Sequence, residues 1–482
     1  MRALLYSTVA ALIAFSPAKA AEVSEAGARE ITEKLTYYLP QNIRDLGVVK
    51  VTPGTQRYAL TIDLDPVFRR FDAKNLTLNG LRPFVHYLTP QADGLWKIET
   101  NDNLNLSGST TSEGEKTDFT YAVDRYSLDS LFDPALTFPR TINVDVQKMN
   151  FSTVANDATV GVTIDSYTSD MRADNVSNGV ADLVANMSAK GFTETINDKV
   201  AGDVVITAST MDGVWTADRV GLTAFRDFVV FVLDLAKSEA ATLTAEQDAR
   251  FKELIRANIP FVEHLAEDMT FRDVKFGWQG MEMKVAEVGY KFDFNGLRAD
   301  TRVGMQFSFT DPVVPAGLLP PGTEAALPKM ASAGVAVSNL DIEGVLNYVV
   351  QNADFTKADP LSEAQKDELG RIVLRGGRIN VEFYNVAARS DVYDVTMTGR
   401  MTVDPDESSK ADADVTIVAR DIDKTVKYLQ DNAGSVPEFG QASFMLLMMK
   451  GFGKAEADGS MVWNVKVDEA GKLTINGQEM KI

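Results

Sequence analysis

The chain has 482 residues, with 48 Lys and Arg against 68 Asp and Glu, a net charge of −20 and no cysteine. That acidity argues against nucleic acid as a partner and against docking on anionic headgroups through a basic patch. The lack of cysteine excludes disulfides, thiolate nucleophiles and Cys-based metal sites, so stability must come from packing and sheet hydrogen bonds.

Residues 1–20 have the layout of a cleavable export signal. Arg2 is a short positive start, Ala3 to Phe15 an apolar stretch, and Ala18-Lys19-Ala20 a small-x-small cleavage site. The apolar stretch is too short to span a bilayer. Residue 21 is Ala, not the Cys of a lipid-modified terminus. Loss of Arg2 and Lys19 takes the net charge from −20 to −22. No later run is apolar for long enough to span, so no membrane span is expected after cleavage.

Residues 21–218 read as a β-rich region. A helix is predicted over Ser24 to Leu39, with Ile31, Leu35 and Tyr38 on one face and Pro40 as its stop. Strands follow. Tyr58, Leu60, Ile62 and Leu64 alternate with polar residues, as do Ile142, Val144 and Val146, and Val160, Val162 and Ile164. Leu76 and Leu78 lead into Asn79-Gly80, a hairpin-turn signal. Val180, Leu183, Val184 and Met187 suggest a short helix over Asn175 to Lys190. Asp-Gly followed closely by Trp recurs at Asp93-Gly94 with Trp96, Asp212-Gly213 with Trp215, and Asp458-Gly459 with Trp463. A row of aromatics along a groove is one reading. A hairpin turn followed by a large inward side chain is favoured.

Residues 219–482 read as three helix-pair-plus-strands units, about 219–315, 339–418 and 419–482. The segment Asp341 to Ala353 (DIEGVLNYVVQNA) recurs as Asp421 to Ala433 (DIDKTVKYLQDNA), with five identities. Ile342, Leu346 and Val349 match Ile422, Val426 and Leu429, the spacing of a buried helical stripe. Leu222 to Ala236 and the helix opening at Leu243 form a diverged copy. Thr244 with Gln247, and Ser362 with Gln365, fit capping boxes at equivalent places. Alternating strands follow each pair. In the first unit they carry Met281, Met283 and Val285, then Tyr290, Phe292 and Phe294, then Val303, Met305, Phe307 and Phe309, with Asn295-Gly296 as a turn. In the second they carry Ile379, Val381 and Phe383, then Val395, Met397, Met401 and Val403, then Ala413, Val415 and Ile417. In the third they carry Met461, Trp463, Val465 and Val467, then Leu473 and Ile475. Five prolines between Asp311 and Pro328 predict an irregular connector. Phe444 to Met449 (FMLLMM) is the most apolar helical stretch, and it reads as plain core.

No motif carries a reaction. His86 and His264 lack a metal-ligand spacing. There is no nucleophile elbow, phosphate loop or dinucleotide fingerprint. Asp404, Asp406, Glu407, Asp412 and Asp414 form an acidic loop without the glycine and terminal glutamate of a calcium loop. Arg371, Arg375 and Arg378 are explained by a helix end as well as by an anion.

The layout of signal, helix, long alternating strands and helix pairs, with the ending DGSMVWNVKVDEAGKLTINGQEMKI, resembles the uncharacterised alphaproteobacterial periplasmic proteins grouped as domain-of-unknown-function family 2125. Gly471 to Gly477 also resembles the endings of AsmA-related envelope proteins. These resemblances imply a periplasmic location and a β-groove, and they supply no catalytic residues. The expected fold is α+β, a large, curved, mostly antiparallel sheet with repeated helix pairs packed on one face. The expected function is non-enzymatic and needs no cofactor. It is the holding of a lipid or other apolar ligand by Tyr290, Phe292, Phe294, Met305 and Phe307, or work in envelope assembly. The alternative is a scaffold for other envelope proteins.

The small-x-small site predicts cleavage before Ala21. N-terminal sequencing of protein from the periplasmic fraction should begin at Ala21, and a retained Met1 would rule the cleavage out.

Overall fold

A computed structural model describes residues 23–480, apart from 37–38, 40, 71–74, 113, 157, 201, 237–241 and 406–410. The expected signal, the predicted helix stop at Pro40, the face position Tyr38, and Asp406 and Glu407 of the acidic loop lie outside the described residues. The fold is α+β, a large curved antiparallel sheet that is not closed, with helices. The chain divides into two compact units, residues 1–263 with 353–360, and residues 264–352 with 361–482.

The first unit opens with helix α1 (Glu25–Thr36) and the short α2 (Gln41–Arg44), then β1 (Val49–Pro53) and β2 (Tyr58–Ile62). α3 (Asp65–Phe68), β3 (Leu76–Asn79) and β4 (Phe84–Pro90) lead into long strands: β5 (Trp96–Ser112), β6 (Glu115–Asp133), β7 (Phe138–Ala155), β8 (Ala158–Ser177), β9 (Val180–Asp198) and β10 (Gly202–Gly221). The helix pair α4 (Leu222–Ala236) and α5 (Ala245–Ala257) closes the unit. The pairing runs β1-β2-β4-β5-β6-β7-β8-β9-β10, each antiparallel to the next. Ala28 and Ile31 of α1 bury against Val51, Tyr58, Leu60 and Leu88. Gly27 is required there, because a Cβ would stand 2.3 Å from the Tyr58 hydroxyl.

Three sequence expectations fail in this unit, each for a local reason. The predicted helix over Asn175 to Lys190 is the end of β8, a turn, and the start of β9. Asn178 and Gly179 both have positive φ (51° and 76°), the two-residue turn whose twist matches a hairpin. Pairing on both sides of β9 then overrides a helical spacing of apolar residues. Asn79-Gly80 is no hairpin turn: β3 and β4 lie end to end along β5, and Gly80 passes so close to the Asn105 carbonyl that no Cβ fits. Asp212-Gly213 lies inside β10, paired with Ser188 and Met187.

α4 and α5 meet through rings. Phe228 and Phe231 stack on Phe251, each at 6.0 Å, and Phe355 stands edge-on to Phe251 at 5.0 Å. The Thr244–Gln247 capping box is formed in both directions. Asp248, in the same first turn, accepts the Phe355 backbone N–H at 3.0 Å. This ties residues 353–360 to the helix pair. Lys357 and Thr356 hold the carboxyl of Asp354 down to about 2.

The second unit has β11 (His264–Trp278), β12 (Met281–Phe294), β13 (Thr301–Val313) and β14 (Met330–Leu340), then α6 (Ile342–Asn352) and α7 (Glu363–Val373). β15 (Ile379–Arg389), β16 (Asp394–Val403) and β17 (Ala411–Arg420) precede α8 (Ile422–Asn432) and α9 (Pro437–Lys450). β18 (Lys454–Ala455), β19 (Met461–Val467), β20 (Leu473–Ile475) and β21 (Gln478–Glu479) finish the chain. Strands β11 to β17 pair in sequence order, and β17 pairs with β19 and β19 with β20. The segment Asp311 to Pro328 is not wholly irregular: β13 runs to Val313, and Glu324–Ala326 form a 3-10 turn. Pro312 lies near the end of β13, opposite Val285 of β12 and past the last residue paired with β14.

The repeat is physical. Asn352 donates to the Tyr348 carbonyl and Asn432 to the Tyr428 carbonyl, both at 2.9 Å. The Ser362–Gln365 capping box is formed like its counterpart in the first unit. The two copies differ in depth. Ile422 and Val426 are buried with Ala419 and Trp463, whereas Ile342 is only half-buried. Ile422→Ala should therefore cost about 2–5 kcal/mol, and Ile342→Ala clearly less. Urea unfolding of the two variants should show this order, and equal losses would contradict it.

Candidate functional site

An antiparallel register decides which side chains share a face, because directly opposite residues project the same way. Across β12 and β13, Phe294 faces Val303, Phe292 faces Met305, and Tyr290 faces Phe307. The five residues singled out from the sequence thus lie together on one face. The rings of Tyr290 and Phe307 are 5.2 Å apart and tilted by 47°. The rows extend to β11 through Leu265, Glu267 and Met269, and to β14 through Val337, Val335 and Ala333. Val381 and Phe383 of β15 continue two of them.

This surface is only partly covered. Phe307 is 55% exposed, Val335 44% and Met305 37%. Tyr290, Phe292 and Phe294 are half-buried. A face that exposes a ring, a branched side chain and a thioether in adjacent rows differs from the scattered single apolar residues of ordinary surfaces.

The opposite face of the same strands is a chain of charges. Lys291 donates to Asp268 at 2.6 Å. His264 Nε2 lies 2.7 Å from Asp293, whose other oxygen takes Arg302 at 2.8 Å. Arg302 Nε donates to Glu382 at 3.0 Å, and Ser338 Oγ donates to the second Glu382 oxygen at 2.7 Å. The Arg302 guanidinium also lies 5.3 Å from the centre of the Tyr384 ring. Burial alone pushes the Glu382 carboxyl up. The Ser338 hydroxyl and Arg302 more than offset this, and hold it below the ordinary value. The chain is satisfied from end to end, which suits a structural tie across β11–β15 better than a reacting group.

Other candidates dissolve in the same way. His86 Nδ1 lies 2.5 Å from Thr100 Oγ1, and burial lowers its affinity for a proton. Arg371 pairs with Glu368, and Arg378 with Glu469 and Asp412. Among the described residues no group of three or more His, Asp and Glu could hold a metal. Trp96 packs with Tyr58, and Trp463 is 2% exposed and donates to the Met449 carbonyl, so both are core residues. An open hollow of about 510 Å³ lies beside Arg57, Tyr87, Glu99 and Asp145. Its carboxylates are met by Lys97 and Arg125, and Arg57 sits 3.7 Å from the centre of the Tyr87 ring.

The sequence reading places a helix at Phe444 to Met449 but takes it as core, and there the structure differs. Phe444, Met445, Leu447, Met448 and Met449 are exposed, and of that stretch Leu446 packs on the core around Trp463. The apolar run suggested core because hydropathy carries no record of whether another layer covers a helix. Among the described residues no helix is long and apolar enough to cross a membrane.

Glu382 gives a pH dependence with a definite sign. Its folded value lies below the ordinary 4.5, so its contribution is present above pH 4.5 and is lost as pH falls through the lowered value. Urea midpoints should fall more steeply below pH 4.5 in the parent than in Glu382→Gln. Identical slopes would show that the Arg302–Glu382–Ser338 link adds nothing.

Set against protein-family models, characterised proteins and solved structures, the chain matches none of them. What the protein does is therefore read from its own surface.

Proposed function

We propose that this is an exported, non-enzymatic protein of the periplasm that holds the hydrocarbon part of a lipid or other apolar ligand on the β11–β14 face. The observation that carries the reading is the exposure of Phe307, Val335 and Met305 in adjacent cross-strand rows with Tyr290 and Phe292. Burying a methylene is worth about 0.8 kcal/mol, and contact with rings already fixed by a ladder loses little side-chain freedom. The satisfied charges on the opposite face and the absence of cysteine leave apolar contact as the main source of affinity.

A second reading, a scaffold for other envelope proteins, is favoured by the exposed Phe444, Met445 and Met448 of α9. One titration separates the two. A neutral, environment-sensitive dye bound to the purified protein should be displaced by n-alkanols, more tightly as the chain lengthens and with little response to salt. Phe307→Asp should abolish that displacement while leaving the melting temperature nearly unchanged, since Phe307 is already 55% exposed. No displacement at any chain length would remove the ligand reading and leave the scaffold ahead.

A further inference from the structure

The apolar face contains one residue that hydrophobicity does not explain. Glu267 stands directly opposite Phe292 on β11, between Leu265 and Met269 on the same face of its strand. Phe294 and Tyr290 lie opposite those two neighbours, so the carboxylate is set against a row of three aromatic residues on β12. It is half-buried. Other acidic groups of these strands are matched, among them Asp268 by Lys291, Asp293 by His264 and Arg302, Glu287 by Arg272, and Glu282 by Lys284. Among the described residues the Glu267 side chain makes no hydrogen bond or ion pair.

A half-desolvated carboxylate without a partner is costly unless a cation joins it. Aromatic faces attract cations through their quadrupoles, alkylated ammonium groups among them. The positions that share this face on β12, β13 and β14 are Phe294, Phe292 and Tyr290, then Val303, Met305 and Phe307, then Val337, Val335 and Ala333. None carries a positive charge. The face therefore supplies one anion, a row of rings and an apolar field beside them, with no cation of its own.

We propose that the occupant of this face is an amphiphile with a cationic ammonium head, held by Glu267 and the rings of Tyr290, Phe292 and Phe294, while its alkyl chain runs over Met305, Phe307 and Val335. This rests on the apolar-ligand reading above and adds the chemistry of the head. An anionic head of the same chain length is disfavoured at the same place by like-charge repulsion from Glu267.

The test compares dodecyltrimethylammonium with dodecyl sulfonate, below their micelle concentrations, by titration calorimetry on the full exported chain. The ammonium compound should bind about tenfold more tightly, the order expected for one partly exposed ion pair together with ring–cation contact. Glu267→Gln should bring the two to within about twofold while keeping the dependence on chain length. Asp268→Asn changes the net charge equally but on the opposite face, and it should keep the preference; this separates the site from general attraction to an acidic protein. The proposal is overturned if the parent shows no preference, if Glu267→Gln keeps it, or if Asp268→Asn loses it as well. Equal binding of both compounds overturns the head alone, because the apolar face still binds. No binding of either compound or of n-alkanols overturns the apolar-ligand reading with it.

Discussion

The structure depends on a mismatch between the apolar face that long strands create and the helix available to cover it. β11 has 15 residues and β12 has 14. A strand of that size runs for about 45–50 Å. α6 and α7 have 11 residues each, so each is about 16 Å long. Where a helix pair does sit down, burial is deep: Ile422, Val426 and Trp463 are all buried. Away from such contacts the alternation continues without cover, and Phe307 and Val335 remain open. The chain's apolar pattern is longer than its helices can use.

A second constraint acts along the strands. Between Gln147 and Met149 of β7 the apolar positions shift by one residue, from Val144 and Val146 to Met149 and Phe151. The same shift occurs at the same level in neighbouring strands, around Asp124, Asp165, Gly191 and Ser209, while the register on either side is unchanged. Lys148 and Gly191 have positive φ there, at 54° and 65°, and Lys148 pairs with Asp165 at 2.7 Å. The second unit repeats the device at Asp273 and Asp311, with φ of 50° and 45°. A left-handed residue rotates the chain about its own axis, so the pattern of side chains changes phase without a slip in pairing. A slip by one residue would move every side chain to the other face.

What was legible in the sequence follows from these two constraints. Period-two alternation identified strands such as Tyr290 to Phe294 and Val303 to Phe309, because that information is local; that the five residues share one face follows from the register between the strands. The capping boxes at Thr244 and Ser362 were legible for the same reason. The helix expected over Asn175 to Lys190 failed because Asn178-Gly179 makes a hairpin inside an apolar run whose spacing also fits a helix turn. Glu267 was invisible as a feature, since a glutamate between Ala266 and Asp268 looks like any polar position. Only its pairing with Phe292 places it among rings. Exposure of α9 was equally hidden, because cover is a property of what lies beside a helix and not of the helix.

Two uncovered apolar surfaces in one unit invite the question of which carries selectivity, and their side chains answer differently. Met445, Met448 and Met449 on α9 each have three rotatable side-chain bonds, so they can fit many shapes, at the expense of ordering on contact. Tyr290, Phe292 and Phe307 have two each and are held against opposite neighbours by β12–β13 pairing. Their positions are fixed by the ladder, so contact on this face would cost them less conformational freedom. A rigid row of rings beside a single carboxylate can discriminate between head groups, because a misplaced charge finds no alternative geometry there. A methionine-rich helix would repack around either head and discriminate little. On the proposed ligand reading, selectivity would belong to the sheet face, whereas the proposed scaffold reading would use α9 against an irregular apolar surface.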